Sequence, residues 1–404
     1  MTDVEAVFRE HGFRVVALLT RELRSLDLAE DALQEAHLAA LRQWPNDPAR
    51  DPPAWLLTVA RRRARDRARR DATLARKLPL LALDRPAAVE LGPHAGDGEL
   101  PDDRLRLIFT ACHPALSLDA RVALTLRYAA GLSTREVARL LLVSESAMAA
   151  RLTRAKHKIA AARIPYRVPD TADLPERLNG VLSVVHLIFT EGHLATAGPR
   201  LLRPELCTEA IRLAGVLRQL VPDDAELLGL SGLMVLVHAR RFARMDGGEL
   251  VTLAEQDRGR WVRSEIEEGL ALVARARGRD RPGRYVLQAL IAAQHALAAD
   301  ADATDWPAIA RLYARLEELD ASPVVRINRA VAVAEADGPH AGLALLDDLD
   351  ARAAGFQLDL ARAELLARIG DRDAAAAAFD RALAVTANGP VRAHLRRRRA
   401  ELAA

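Results

Sequence analysis

The sequence predicts an all-α protein built from several helical units. Three observations carry this. Ala, Leu and Arg dominate a chain of 404 residues in which only 4% are aromatic, and these three are good helix formers. Apolar residues recur at helical spacing, whereas period-two runs of Val, Ile, Thr and Tyr are missing. Gly and Pro punctuate the periodic segments. With 50% apolar and 28% charged residues, the balance is that of a globular chain, and its length suits two or three domains.

A first helix is expected from Asp3 to Leu23, with Val4, Val7, Phe8, Val15, Leu18 and Leu19 at helical spacing. A second runs from about Asp27 to Trp44 and turns Leu33, Ala36, Ala40 and Leu41 inward. Pro45-Asn46-Asp47-Pro48 ends it, because proline breaks the hydrogen-bond ladder. A third begins at Asp51-Pro52-Pro53, where Asp51 suits the N-cap and proline the first turn. It passes through Trp55, Leu56, Val59 and Ala60 into a basic stretch, Arg61 to Arg70. The Gly- and Pro-rich segment 73–103 reads as a flexible linker.

Helices are expected again over Arg104–His113 and Ser117–Ala130, followed by a helix-turn-helix pattern from Ser133 to about Ala162. Ser133 and Glu136 have capping-box spacing. Val137, Leu141, Val143 and Met148 fall where two crossed helices need apolar contacts, and Ala138 is small at their closest approach. Ser144 suits the N-cap of the second helix, which presents Glu145, Ser146, Ala149, Arg151 and Arg154 at its start and on its outer side. Such a helix brings polar side chains to base edges and Arg or Lys to phosphates. Leu142 occupies the turn position where glycine is usual.

Beyond Pro165 helical patterns continue to the end. Ala330–Leu349 aligns with Ala363–Leu383 at an offset of 32–33 residues, Gly338 falling on Gly370. That is near the period of tetratricopeptide-like helical repeats. Two ordinary hairpins in an Ala-rich bundle would give the same pattern.

Charge is uneven. Residues 1–165 carry 27 Lys/Arg against 21 Asp/Glu, and residues 166–404 carry 31 against 34. The N-terminal part therefore suits a polyanionic partner. Arg61, Arg62, Arg63, Arg65, Arg67, Arg69, Arg70, Arg76 and Lys77 are opposed only by Asp66 and Asp71, a run that repels itself without an anion. Glu30, Asp31, Gln34 and Glu35 form an acidic face opposite Leu33 and Ala36. A solvated face and a docking surface both fit it, and nothing local decides.

Other features point away from chemistry. Cys112 and Cys207 form no metal or redox spacing, and no apolar run is long enough to span a bilayer. A cytoplasmic protein without a membrane partner is expected. His186, Glu191 and His193 do not share one helical face, so no metal is expected. Glu255, Asp257 and Glu265 come without a nucleophile, phosphate loop or paired base. No catalytic residue and no cofactor is expected. Arg396 to Arg399 read as a solvated helix end.

The order of these parts resembles the extracytoplasmic-function (ECF) sigma factors of bacterial RNA polymerase. The carrying residues are Ala29-Glu30-Asp31-x-x-Gln34-Glu35, Pro53-Ala54-Trp55-Leu56, Ala60-Arg61 with Asp66 and Arg69-Arg70, and Val143-Ser144-Glu145 through Arg151-Leu152-x-Arg154-Ala155. The resemblance implies sigma region 2 over residues 1–72, a linker over 73–103 and region 4 over 104–164. Asp31, Gln34 and Glu35 would bind the β′ clamp helices of core RNA polymerase. Trp55, Arg61, Arg62, Arg65 and Arg69 would meet promoter DNA at the −10 element; Arg62 stands where the family often has asparagine. Ser144, Glu145, Ser146, Ala149, Arg151 and Arg154 would read the −35 element, with region 4 also touching the β-subunit flap. His186 to Gly192 and Asp246 to Arg263, including Glu255-Gln256-Asp257-Arg258 and Trp261, resemble a subgroup with a helical regulatory extension, here 165–404, tetratricopeptide-like near 305–402. That extension is expected to pack on the sigma domains, inhibiting them or being required by them. The alternative is a stand-alone helix-turn-helix regulator with a helical interaction domain.

Overall fold

The computed structural model describes residues 4–23, 25–47, 49–77, 100–129, 132–141, 143–170, 172–278, 282–349 and 351–402. Among the described residues, eighteen α-helices account for nearly all of the regular structure, as the composition predicts, and the strands are two-residue ladders. Backbone contacts divide the chain into two units, residues 1–184 and 185–404.

In the first unit, α1 (Val4–Leu23), α2 (Leu26–Gln43) and α3 (Pro52–Lys77) pack on one another. Ser25 caps α2 by accepting from the Leu28 N–H at 3.3 Å, so the helix starts just ahead of the expected Asp27. Asp51 caps α3 as expected, accepting from the Ala54 N–H at 3.1 Å. Leu33, Ala36, Ala40 and Trp44 line the interior, but Leu41, expected inward, is 44% exposed. The indole of Trp44 fills that end of the core, so Leu41 falls outside the buried arc. α3 runs on to Lys77, past the expected start of the linker, and α4 (Leu100–Ala111) begins before its expected end. The intervening residues 78–99 lie outside the described ones, as does Leu142.

α5 (Leu118–Leu124) continues directly into a π-helical turn, Thr125–Ala129, where a plain α-helix is predicted. Then come α6 (Thr134–Leu140) and α7 (Glu145–Ala161), the expected helix-turn-helix. α8 (Leu174–His193) begins in the first unit, where Arg177 donates to the Phe109 carbonyl at 2.7 Å, and continues into the second.

The second unit consists of α9 (Pro204–Leu220), α10 (Ala225–His238), α11 (Arg263–Arg277), α12 (Arg284–Leu297), α13 (Trp306–Leu319), α14 (Pro323–Asp337), α15 (Pro339–Ala344), α16 (Ala351–Arg368), α17 (Arg372–Val385) and α18 (Gly389–Glu401). Two small ladders occur: β1 (Ala197–Gly198) pairs in parallel with β4 (Ala387–Asn388), and β2 (Met245–Asp246) pairs antiparallel with β3 (Glu249–Leu250). The repeat seen in the sequence is two successive hairpins, α14–α15 and α16–α17. Gly338 (φ 98°) and Gly370 (φ 86°) stand at their turns, a conformation natural to glycine. The copies are unequal, since α15 has 6 residues and α17 has 14.

Polar features set aside in the sequence have local partners. Glu191 pairs with Arg203 at 3.3 Å, His186 meets Tyr285 edge-on and His193 stacks on Phe189. Glu255 completes a capping box with Thr252, Asp257 caps Gly259 and Glu265 pairs with Arg241. Arg398 pairs with Glu364 at 2.7 Å and Arg399 with Asp380 at 3.3 Å. Among the described residues, no group of three or more His, Cys, Asp or Glu is placed to hold a metal ion, and no helix is long and apolar enough to cross a membrane.

Candidate nucleic-acid interface

The helix-turn-helix forms as its caps dictate. Ser133 accepts from the Glu136 N–H at 3.1 Å, and the Glu136 carboxylate accepts from the Ser133 N–H at 2.8 Å. Ser144 accepts from the Ala147 N–H at 3.2 Å and fixes the start of α7. Val137, Ala138, Met148 and Leu152 are buried between the helices, while Leu141 and Val143 are half-buried. This seats α7 with Ser144, Glu145, Ser146, Ala149 and Arg154 all exposed along its first turns. Arg151 differs: it is half-buried and pairs with Asp119 at 3.6 Å.

Among the described arginines of α3, two turn toward neighbouring helices. Arg61 turns back to α1 and grips the Glu22 carboxylate through Nε at 3.1 Å and through Nη2. Arg63 lies 3.8 Å from Glu35 of α2. Arg62, Arg65 and Arg69 are exposed, and their i, i+3, i+7 spacing makes one stripe along the helix. Leu56, Ala60 and Ala64 face the core opposite them. Ahead of the stripe, Trp55 is half-buried against Trp44, with centroids 5.3 Å apart and planes at 67°. Such edge-to-face packing fixes ring orientation. Arg61, expected at this surface, is drawn into a bidentate ion pair with Glu22.

The acidic face of α2 is partly consumed within the unit. Glu30 is only 9% exposed. It accepts from Arg127 at 2.7 Å, from the Tyr128 hydroxyl at 2.6 Å and from Lys156 at 3.1 Å. Lys156 also meets Asp27 at 2.5 Å. Arg127 and Tyr128 lie on the π-helical turn and Lys156 on α7, so three donors from the helix-turn-helix module converge on one carboxylate of α2. Burial pushes the Glu30 carboxyl up, but the Arg127 charge, the Tyr128 hydroxyl and Lys156 outweigh it and hold the group below its ordinary value. Burial and the Glu30 carboxylate push the Tyr128 phenol well up. Burial lowers Lys156, yet its bonds to Asp27 and Glu30 leave it raised.

Of the expected docking residues, Gln34 is exposed and Asp31 and Glu35 are half-buried. Sequence reasoning missed two neighbours: Leu38 is 55% and Leu41 44% exposed, and with Gln34 they form an i, i+4, i+7 row along α2. Periodicity reads such leucines as core, so only the packed position of Trp44 distinguishes them.

Residues 7–73 match Sigma-70 region 2 and residues 106–159 match Sigma-70, region 4. Residues 177–277 match a family of unknown function, DUF6596. An uncharacterized protein of Rhizobium meliloti (strain 1021) is 43% identical over 396 residues, covering 97% of this chain and 94% of the relative. The ECF RNA polymerase sigma factor SigK of Mycolicibacterium vanbaalenii is 31% identical over 141 residues, covering 33% of this chain and 67% of its own length. No solved structure matches the chain.

Proposed function

Because the chain belongs to the ECF sigma factors, with a C-terminal extension beyond regions 2 and 4, we propose that it joins core RNA polymerase and directs it to a two-part promoter. Region 4 reads the −35 element with the exposed start of α7: Ser144, Glu145, Ser146 and Ala149 face base edges, while Arg154 and, once released from Asp119, Arg151 meet phosphates. Region 2 holds DNA at the −10 element along the Arg62, Arg65 and Arg69 stripe, with Trp55 beside it as a surface for an unpaired base. Arg61 serves chiefly to fix α3 on α1 through Glu22. On α2, Asp31, Gln34 and Glu35 with the exposed Leu38 and Leu41 supply a polar and apolar row for docking on the β′ clamp helices, and region 4 also touches the β flap. No catalytic group is needed, since the chemistry is the polymerase's.

The observation that carries this reading is the pairing, in one compact unit, of a capped helix-turn-helix with an exposed reading end and a separate arginine stripe. The same observation implies a change of shape. The two promoter elements lie roughly 25 base pairs apart, ~85 Å at 3.4 Å per base pair. Contacts through Glu30 hold α2 against α7 and the π-helical turn, so engaging both elements is expected to part Glu30 from Arg127, Tyr128 and Lys156. The extension regulates this step, a role supported by its opposite charge balance.

The test is reconstitution with purified core polymerase, followed by footprinting and transcription on a candidate promoter. Protection of both elements, weakened by Arg62→Ala and Arg154→Ala, is the expected result. No holoenzyme would reject the reading. Tight specific binding to duplex DNA without polymerase would indicate a stand-alone regulator instead.

A further inference from the structure

In the C-terminal unit, Arg240 carries a charge that no carboxylate among the described residues answers. It follows the last turn of α10 and is half-buried. Its guanidinium lies over the Trp261 indole, 5.8 Å from the ring centroid, and makes no hydrogen bond among the described residues. The neighbouring arginines are engaged. Arg241 pairs with Glu265 at 2.6 Å. Arg244 donates to the His193 carbonyl and approaches its Nδ1 at 3.1 Å. Arg258 reaches the same indole, 4.6 Å from its centroid, and donates to the carbonyls of His295 at 2.6 Å and Ala298 at 2.8 Å.

Unused donors collect around Arg240. Trp261 is 7% exposed, and its indole N–H is buried with no acceptor. Tyr313, on α13, is half-buried, and its hydroxyl makes no hydrogen bond among the described residues. Burial pushes its phenol up to about 12 against the pull of Arg240, so it stays protonated and able to donate. His295, edge-on to Trp306 at 5.3 Å, is neutral at pH 7. Burial, then Arg240 and Arg258, lower it to about 4. Burial first, then Arg258, lowers Arg240 itself to about 10, still charged at neutral pH. Among the described residues, the carboxylate acting in this cluster is Asp300, and it acts on Arg258.

The chemistry of this arrangement is one-sided. A half-buried guanidinium is partly stripped of water and favours an anion or hydrogen-bond acceptors, and a cation–π contact returns only part of that cost. Two guanidiniums sharing one indole raise the local positive potential further. The planar fork of arginine fits a carboxylate or phosphate bidentately. We propose that Arg240, Trp261 and Tyr313 form a binding site for a small oxyanion, the phosphate or carboxylate group of a ligand, within the positive field of Arg258. Arg240 grips the oxyanion, and the indole N–H and phenol O–H complete its hydrogen bonds. The site does not depend on the transcription reading, and its test does not involve polymerase.

The test uses the full chain. Thermal unfolding and tryptophan fluorescence are followed while inorganic phosphate or acetate replaces chloride at constant ionic strength, for the wild type, Arg240→Met and Arg240→Lys. One of the two anions is expected to raise the wild-type Tm by about 3 °C at saturation. A response to phosphate alone assigns a phosphate ligand, and a response to acetate alone a carboxylate. Arg240→Met is expected to melt at or above the wild type in chloride, since an unanswered charge is gone, and to lose the anion response. Arg240→Lys should lose most of it, because an ammonium cannot fork. The proposal is overturned if neither anion shifts the wild type, or if the anions shift wild type and Arg240→Met alike. It is also overturned if Arg240→Met melts well below the wild type in chloride, which would make Arg240 a structural residue.

Discussion

Glu30 on α2 and Lys156 on α7, 126 residues apart in sequence, meet with carboxylate oxygen and ammonium nitrogen 3.1 Å apart. With Asp27, Arg127 and the Tyr128 hydroxyl they form a network of two acids, two bases and one neutral donor. A buried network of this kind adds little net stability over an apolar contact, but losing one member is costly. It therefore suits a latch, firm while complete and weak once any partner leaves. It joins the acidic helix of region 2 to region 4.

Replacing Glu30 should show this directly. Glu30→Gln leaves Arg127 as a half-buried charge facing a neutral amide and leaves Lys156 with Asp27 alone. The expected loss is about 3–5 kcal/mol, read from urea unfolding of the full chain. The reversed pair, Glu30→Lys with Lys156→Glu, should recover part of it. A fluorophore pair placed on α2 and α7 should report a longer distance in Glu30→Gln than in the wild type. An unchanged distance and unchanged stability would show that the network does not hold the modules together.

The latch has a defined pH window. The Glu30 carboxyl is held below its ordinary 4.5, so its contribution is complete above that value and lost as pH falls through the lower folded value. Lys156 is raised above 10.5 and Tyr128 well above 10.0. Their contributions are complete below those ordinary values and lost as pH rises through the folded ones. The inter-helix distance is expected to stay constant from about pH 5 to 10, and to lengthen as pH falls through the folded value of Glu30 or rises through those of Tyr128 and Lys156. Because the network is largely buried, it should respond weakly to salt.

How much of this was readable depends on distance along the chain. The helix-turn-helix was legible because its determinants are local: Ser133 and Glu136 are three residues apart, and Ser144 needs only Ala147. Gly338 and Gly370 were legible as equivalent turns because the repeat sets them side by side. The role of Glu30 was not legible. Its solvated and docked readings differ only in partners about 100 residues away, and no periodicity encodes that. Arg61 and Arg62 look alike in the sequence, yet only Arg61 reaches Glu22, because rotation between adjacent helical positions sends them to different sides. Leu41 misled for the opposite reason, since its spacing is that of a core residue.

On α7, Arg154→Ala is expected to weaken −35 binding for all sequences and lower the salt slope by about 1. Ser146→Ala, at a position proposed to face bases, should instead change sequence preference by about 1–3 kcal/mol. Asp119→Ala should strengthen binding several-fold by releasing Arg151, consistent with a surface ion pair worth up to about 1 kcal/mol. Holoenzyme binding to operator variants at several salt concentrations separates the three outcomes.

In the repeat hairpins, Gly338 sits at φ 98°, ψ 159°, a region essentially closed to residues with a Cβ. Gly338→Ala should cost about 1–3 kcal/mol. Gly342→Ala acts by contact instead: a Cβ there would lie 2.6 Å from the Ala330 carbonyl and from the Ala334 Cβ, and overpacking of that kind costs about 1–3 kcal/mol. Both should lower the unfolding midpoint of the C-terminal unit without altering the distance between α2 and α7.

Where the extension is cut decides what its removal means. A chain ending at Arg167 keeps the Tyr166 bond to the Ala17 carbonyl at 2.9 Å but loses the Arg177 bond to the Phe109 carbonyl at 2.7 Å. It also loses Leu178, Val181, Leu182 and Val184, each at most 3% exposed and each worth roughly 1.5–3 kcal/mol when fully buried. Such a chain uncovers part of the first unit's core, so a loss of transcription from it would report instability rather than regulation. A chain ending at His193 keeps all of α8. It is expected to melt several degrees above the shorter one and to isolate the effect of the remaining extension on promoter output. Equal melting of the two chains would mean that the start of α8 contributes nothing to the first unit, and an unchanged promoter output from the longer one would reject a regulatory extension.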